Sequence, residues 1–409
     1  MGKRIVVRAK VLYNGKTKLY EQNIIVEDGK IIEITKKNEK ADYEGYVTPA
    51  FIDAHSHIGM FRDGEPAGES EGNDISDQFM PLNDPLNSIY YDDRAFKDAV
   101  DFGVLYSCVV PGSGNLIGGR AMIIKNFAEN TKDALLKDYG YKMALGFNPR
   151  STGDWRGKRP NTRMGVYSML EEKFDTVLAK QEKAEIARDK KISEIEKKKT
   201  GKDKLSAKEY AEQKKQALRE YELEFTPEDK AILEILSGKV TAKIHVHKED
   251  DVLYLIKLVK KYGIKATADH TCDVFHKEIF DELGKAGIPV VFGPLGGVGE
   301  KVELAHAYYQ NAELLMRSKA EYGLMTDHPV IWTPHLRDSL KFFLIHGMKD
   351  EEAISMITYK NAKILGIDDI LGTVEKGKIA SLIVWDKEPL NIGAFPSMVM
   401  AEGKVLRKK

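Results

Sequence analysis

The side chains best suited to chemistry in this chain are its histidines, and their spacing is not random. His55 and His57 close the run Pro49-Ala-Phe-Ile-Asp-Ala-His-Ser-His, in which residues 50–54 read as a short buried parallel strand. A strand projects residues i and i+2 to the same side, so both imidazoles enter one space. Two neutral imidazoles converging there make half of a site for a divalent transition metal, although two solvent-facing loop histidines would show the same spacing. His245 and His247 repeat the pattern in Lys243-Ile-His-Val-His, His270 ends Thr267-Ala-Asp-His, and Asp327 and His328 follow Leu324-Met-Thr. Each group falls at the C-terminal end of a predicted strand. Unpaired polar groups converging on one rim need partners, and a shared metal ion provides them.

The elements that must position these groups alternate short apolar strands with helical segments, the signature of βα units. Strands are predicted at 50–55, 104–110, 121–124, 141–145, 242–246, 265–269, 289–292 and 323–326. That set suits a closed parallel barrel, whose chemistry sits at the C-terminal strand ends; an open doubly wound sheet is the alternative. Both termini have another texture. Residues 4–9, 21–26 and 30–34 alternate like antiparallel strands with turns at Asn14-Gly15 and Asp28-Gly29, and residues 377–386 and 397–406 do the same around Glu402-Gly403. One small sheet built from both ends is expected, dividing the chain into 1–48, a barrel over 49–365, and 366–409.

Two segments interrupt the barrel rhythm. Residues 59–93, rich in Gly, Asp, Glu and Asn, form a long loop directly after the first histidine pair and read as a lid or substrate loop. Residues 171–225 are densely charged and helical, with a break at Thr200-Gly-Lys-Asp203 and helix starts at Ser206-x-x-Glu209 and Thr226-Pro-Glu-Asp229. They predict a projecting helical hairpin with a solvated face.

Bulk composition narrows the classes. The 63 basic and 63 acidic residues cancel, so no global field recruits nucleic acid or an anionic membrane. Two cysteines, Cys108 and Cys272, give no disulfide framework. With no leader and no apolar run of spanning length, a cytoplasmic home is expected. A small-molecule substrate is the expected partner, and a homo-oligomer is left open.

The order His55-x-His57, His245, His270, Asp327 resembles the amidohydrolase superfamily of metal-dependent hydrolases. Pro-Ala-Phe-Ile-Asp-Ala-His-Ser-His looks like its first-strand signature, and Gly372-Thr-Val-Glu-Lys-Gly-Lys-Ile-Ala-Ser-Leu-Ile-Val-Trp-Asp386 like the closing segment of members with an added β-sandwich. Gly112-Ser-Gly-Asn-Leu-Ile-Gly-Gly119 and Pro160-Asn-Thr-Arg-Met-Gly165 look most like a branch grouped with imidazolonepropionase. The resemblance implies an α/β fold: a distorted (β/α)8 TIM barrel, a small β-sandwich from both termini and the charged hairpin as an insertion. It also implies one or two divalent ions, usually zinc, held by His55, His57, His245, His270 and Asp327. Lys142, if carboxylated, is the candidate bridge, with Lys243 a weaker one; Cys272 is a soft ligand or a buried inert thiol.

A metal there lowers the pKa of its water towards about 7. Asp327 would accept the proton and pass it to a leaving nitrogen, while His270 or His247 polarises the bond attacked. For substrate, Asn115 and the backbone N–H groups of loop 112–119 offer donors, and Arg163 offers a fork for a carboxylate. The glycines read equally as a tight turn, and Arg163 as an internally paired residue. The expected reaction is hydrolysis of a C–N bond, cyclic amide or amidine first. A prolidase-like dipeptidase and a catalytically silent scaffold barrel are the alternatives.

Overall fold

The computed structural model describes residues 4–408 except 38, 63, 152, 154, 156, 201–203 and 298–300. Its strands, in chain order, are β1 Ile5–Tyr13, β2 Lys18–Glu27, β3 Lys30–Thr35, β4 Tyr43–Pro49, β5 Phe51–Ser56, β6 Val104–Val109, β7 Ile117–Lys125, β8 Leu135–Ala144, β9 Thr241–Lys248, β10 Lys265–Asp273, β11 Val290–Phe292, β12 Tyr322–Leu324, β13 Leu382–Trp385, β14 Pro396–Ala401 and β15 Lys404–Lys408. They form a seven-stranded sheet, ordered β15-β14-β13-β4-β1-β2-β3, and an eight-stranded sheet ordered β12-β11-β10-β9-β8-β7-β6-β5.

The first sheet joins both ends of the chain. β13 pairs antiparallel with β4, and residues 377–380 hydrogen-bond back to Gly29 and Ile31, so the sheet curls around Val7, Leu12, Ile24, Val384 and Met400. The Asp28-Gly29 and Glu402-Gly403 turns have both residues at positive φ, the conformation that matches the twist of a two-residue hairpin. At the junction with the barrel, Trp385 packs on Phe51 at 5.7 Å and donates its indole N–H to Thr48 Oγ1 at 3.0 Å.

The second sheet is the barrel wall, and its eight strands fall where the apolar runs predict them. Its direction departs from an all-parallel barrel: β7 runs antiparallel to both β6 and β8. The reason lies in chain length. Segments 110–116 and 126–134 are too short for the crossover that a parallel partner needs, so the chain can only reverse. From β8 to β12 every pairing is parallel.

Side chains close the seam between β12 and β5. The buried Asn361 amide donates to Ile52 O at 2.6 Å and to Leu324 O at 2.8 Å, while its oxygen accepts from Leu324 N at 3.0 Å. Asp53 accepts from Thr326 N at 3.1 Å and from the Thr326 hydroxyl, and Asp327 N donates to His55 O at 3.1 Å. Gly323 must be glycine here, because a Cβ would lie 1.9 Å from Asn361 Oδ1.

The charged insertion is a helix over Arg163–Thr200 followed by one over Ala207–Leu223. Residues 201–203 of the expected break lie outside the described residues. Capping boxes close at Ser206/Glu209 and Thr226/Asp229. Val166, Leu170, Phe174 and Val177 join the barrel's core, whereas Ala184, Ile195 and Ala217 are buried outside it, within the hairpin. Among the described residues no helix is long and apolar enough to cross a membrane.

Two outcomes are expected. Asn361→Ala strands three buried backbone groups, so chemical denaturation should show a loss of about 3 kcal/mol or more; a loss below about 1 kcal/mol would mean the seam does not depend on this amide. Arg188 lies over the Tyr221 ring at 4.7 Å, so a Gly-Ser linker replacing residues 189–220 bridges a short gap. That variant should melt within about 2 °C of the parent, no more than the shift that roughly 1 kcal/mol produces in a chain of this length. Loss of folding would show the hairpin to be an integral layer.

Candidate active site

Strand alternation sends Asp53 and His55 of β5, His57 just past its end, Lys142 of β8, and Lys243, His245 and His247 of β9 to the barrel interior, where all are buried. β10 adds Thr267 and Asp269 by the same rule. His270 then breaks the alternation: it and Thr271 take φ of +79° and +55°. That left-handed turn swings the His270 ring inward beside its neighbours. Asp327, just past β12, has φ of +53°. Such backbone costs roughly 1–3 kcal/mol per residue and persists only where surroundings enforce it.

The side chains form two abutting groups. His55, His57 and Asp327 bring ligand atoms within 4.8 Å of one another, as do His245, His247 and His270. The groups touch through His55 and His270, whose ring centres are 5.0 Å apart. Lys142 Nζ lies 3.0 Å from His55 Nε2, which itself lies 3.4 Å from Asp327 Oδ1. His57 Nε2 is 3.1 Å from the same oxygen.

Three rings are oriented in the same way. His55 Nδ1 donates to Asp269 Oδ2 at 2.6 Å, His57 Nδ1 to Val110 O at 2.7 Å and His270 Nδ1 to Gly293 O at 3.0 Å. Each Nε2 lone pair is thereby left facing the interior, the arrangement that prepares an imidazole as a ligand. His245 Nδ1, His247 Nδ1 and His270 Nε2 are buried with no hydrogen-bond partner. Burial, reinforced by neighbouring cations, holds His245 and His270 well below the usual histidine range, and His55 and His247 at about 3. Neutral imidazoles beside an ionised carboxylate fit a divalent, borderline-soft cation such as zinc.

Burial pushes Lys142 down to about 8, against the opposing pull of Asp327 and Asp269. Burial would also raise Asp269, but the Lys243 ammonium at 2.9 Å and the His55 hydrogen bond outweigh it and hold the carboxyl below the usual range. Asp327 behaves alike: His57 and its neighbours overcome burial, leaving it at about 2.

The other candidates lie elsewhere. Arg163 sits on the hairpin's first turn, paired with Asp250 at 2.9 Å and 39% exposed. Asn115 is buried and donates to Asp74 O and Asp77 O, each at 2.8 Å. Gly112 N donates to Gly72 O and Gly114 N to Asn73 Oδ1, so these groups of the glycine-rich loop anchor the 59–93 loop. That loop also places Phe61 against His57, with ring centres 5.6 Å apart. The Cys272 thiol is tied to Gly293 O at 3.1 Å and pushed well up by burial. His328 accepts from Thr333 N at 3.3 Å.

Several residues at the site were not singled out by spacing. Asp53 and Asp269 occupy inward positions two residues from His55 and Thr267, a period-two signal that was readable. Glu303 was not readable: it comes from a single 3-10 turn over Val302–Leu304, accepts from Phe147 N at 2.7 Å and places its other oxygen 3.9 Å from His245 Nε2.

Comparison with known proteins shows what the chain as a whole resembles. Over 93% of its length the chain is 24% identical to the amidohydrolase tasK of Hapsidospora irregularis, and it spans only 39% of that protein. The crystal structure of an amidohydrolase from Thermotoga maritima superposes with a TM-score of 0.85 at 27% identity, covering 99% of this chain and all of that one. A Xaa-Pro dipeptidase solved with bound methionine shares the fold at 14% identity and a TM-score of 0.56, covering 98% and 99% of the two chains. The model of the amidohydrolase family matches residues 195–406, more than half of the sequence, and the chain belongs to that family.

Proposed function

We propose that this protein is a metal-dependent hydrolase that cleaves a C–N bond in a small substrate. The observation that carries the reading is the set of inward-facing, neutral imidazole nitrogens meeting the Asp327 carboxylate in a buried space. In this reading His55, His57 and Asp327 hold one divalent cation, and His245 and His270 hold a second, with Lys142 between the two groups. Such ions supply a water whose pKa falls to about 7 and a positive charge for the carbonyl oxygen. Asp327, ionised at neutral pH, takes up the proton of the attacking water and returns it to the departing nitrogen. His247, whose Nδ1 is buried without a partner, is the imidazole left to meet negative charge developing on the substrate. Phe61 packs against the ring of His57 and borders the cleft beside His328.

Two substrate classes follow. A cyclic amide or amidine of the imidazolonepropionase kind is the first, by the motifs at 112–119 and 160–165. Such an acid needs a cation for its carboxylate, and Arg163 is engaged by Asp250. A short peptide or N-acyl amino acid is the second, in line with the Xaa-Pro dipeptidase that shares the fold.

Purified protein should carry one to two zinc-like ions per chain. His55→Ala and Asp327→Ala should abolish turnover with unchanged circular dichroism, exceeding the roughly 10–100-fold losses seen when a group that only orients a ligand is removed. Elemental analysis finding no bound metal after zinc repletion would overturn the reading.

The metal count depends on Lys142. A neutral amine can take up carbon dioxide to give an anionic carbamate, whereas an ammonium repels a second cation at close range. Lys142→Ala should then hold one ion or none, with partial rescue by added short-chain carboxylate. Lys142→Arg should not be rescued, because its charge is permanent. Unchanged stoichiometry in Lys142→Ala would exclude this residue as the bridge.

A further inference from the structure

Beside the imidazole groups lies a cavity of about 290 Å³ whose wall includes His247 and whose floor includes Cys272. We propose that this cup is the subsite for a bulky, uncharged apolar group of the substrate, phenyl-sized or branched aliphatic, attached close to the bond that is cleaved. The inference rests on the hydrolase reading above and gives that reading a substrate class.

Position is the first support. His247 belongs both to the cup and to the trio of converging imidazoles, so the cup opens directly onto the candidate metal ligands. A group seated in it has its point of attachment over those ligands. Chemistry is the second. Phe292, Leu295, Leu304, Tyr309, Val330 and Phe342 supply its large apolar side chains, and no Asp, Glu, Lys or Arg contributes among the described residues. The Cys272 thiol is already committed to Gly293 O, so no charged side chain among the described lining residues compensates a buried charge.

Exposure is the third. Tyr309 and Val330 are 49% and 56% exposed at the rim of a concave site, apolar surface that a bound side chain would take out of water. Gly296 and Gly297 add no side chain to this wall, where a Cβ would lie 3.5 Å from the Phe342 ring and 3.7 Å from Val330, in ordinary contact with them. Finally, size limits the occupant. The volume sits at or below the lower end for whole-ligand pockets, about 300 Å³, so the cup takes one substituent and leaves the scissile group over the imidazoles.

A second cleft, which reaches His328, differs. The cleft lined by Phe61, Trp332 and His328 also carries Arg62, Glu65 and Glu69. The two are therefore chemically unequal, and the apolar group is expected on the His247 side.

The test uses zinc-reconstituted full-length protein and two readouts. For turnover, the dipeptides Phe-Ala, Ala-Phe, Leu-Ala, Lys-Ala, Glu-Ala and Ala-Ala are compared by kcat/KM. One of the two phenyl positions should exceed Ala-Ala by about ten-fold or more, and the charged members should not. For binding, calorimetry compares N-acetyl-phenylalaninamide with N-acetyl-alaninamide. The phenyl compound should bind at least about ten-fold more tightly, by the same pocket effect. Ala307→Trp fills the cup and should collapse both ratios towards one; Val330→Trp serves if that variant misfolds. A phenyl preference that neither variant removes, or no preference in either readout, overturns the subsite. Binding preference that the variants erase, without turnover of any dipeptide or cyclic amide, leaves the subsite standing and overturns the hydrolase reading.

Discussion

The Asp269 carboxylate governs the barrel's interior. It takes hydrogen bonds from His55 Nδ1 at 2.6 Å and from the Thr267 hydroxyl at 2.6 Å, and it pairs with Lys243 at 2.9 Å. These groups occupy space that a barrel of this kind ordinarily fills with branched aliphatic layers. A buried ammonium or carboxylate without a partner is expensive, and removing one member of a buried pair typically costs about 3–5 kcal/mol. The interior therefore holds together only as a compensated set. One consequence is directional: with its Nδ1 hydrogen committed to Asp269, His55 must present its Nε2 lone pair to Lys142 and Asp327.

That orientation would be useless without the seam that brings Asp327 alongside. His55 lies on the first barrel strand and Asp327 beyond the last, so their approach depends on closure. Asp53 contributes to both. It sits two residues before His55 on β5 and grips Thr326, the residue before Asp327, through both backbone and hydroxyl. Burial raises the Asp53 carboxyl to about 7, and three donors, including His55 N at 3.4 Å, act against that rise. Barrel closure and ligand placement are thus served by the same hydrogen bonds.

Most of the fold was legible in the sequence, because strand period, Asp-Gly and Glu-Gly turns and capping boxes are local signals. Direction was harder. The antiparallel course of β7 follows from connections too short for a crossover, visible in the chain but concealed by the assumption of regular βα units. The site was legible wherever a strand's alternation reached it, as at His55, His57, His245 and His247. Beyond alternation other signals were needed: His270 was flagged by its place at a strand end although it reaches the interior only through a left-handed turn, and Glu303, on a single short turn, carried no signal. Arg163 and Asn115 were proposed from residue type alone. Their partners, Asp250 and the carbonyls of residues 74 and 77, are distant in sequence, so only the folded chain shows that both are already engaged.

The left-handed residues show how the interior and the substrate side are linked. His270 and Thr271 store backbone strain that a free strand would release by flipping the ring outward. They are restrained on two sides: Gly293 O accepts from His270 Nδ1 at 3.0 Å, and Asn311 Nδ2 donates to Cys272 O at 2.9 Å. Gly293 itself, at φ +135°, leaves no room for a Cβ, which would lie 2.8 Å from Met325 O. Gly293 O also accepts from the Cys272 thiol, so one carbonyl fixes both a candidate ligand and the floor of the apolar cup. The loop that shapes the cup begins at that same residue. A change in this loop that moved the carbonyl would disturb the His270 ring, whereas substitutions farther along, at the rim, alter the cup without touching the imidazoles. On the proposed reading, changes at the rim would alter substrate selectivity while the backbone held the candidate ligands in place.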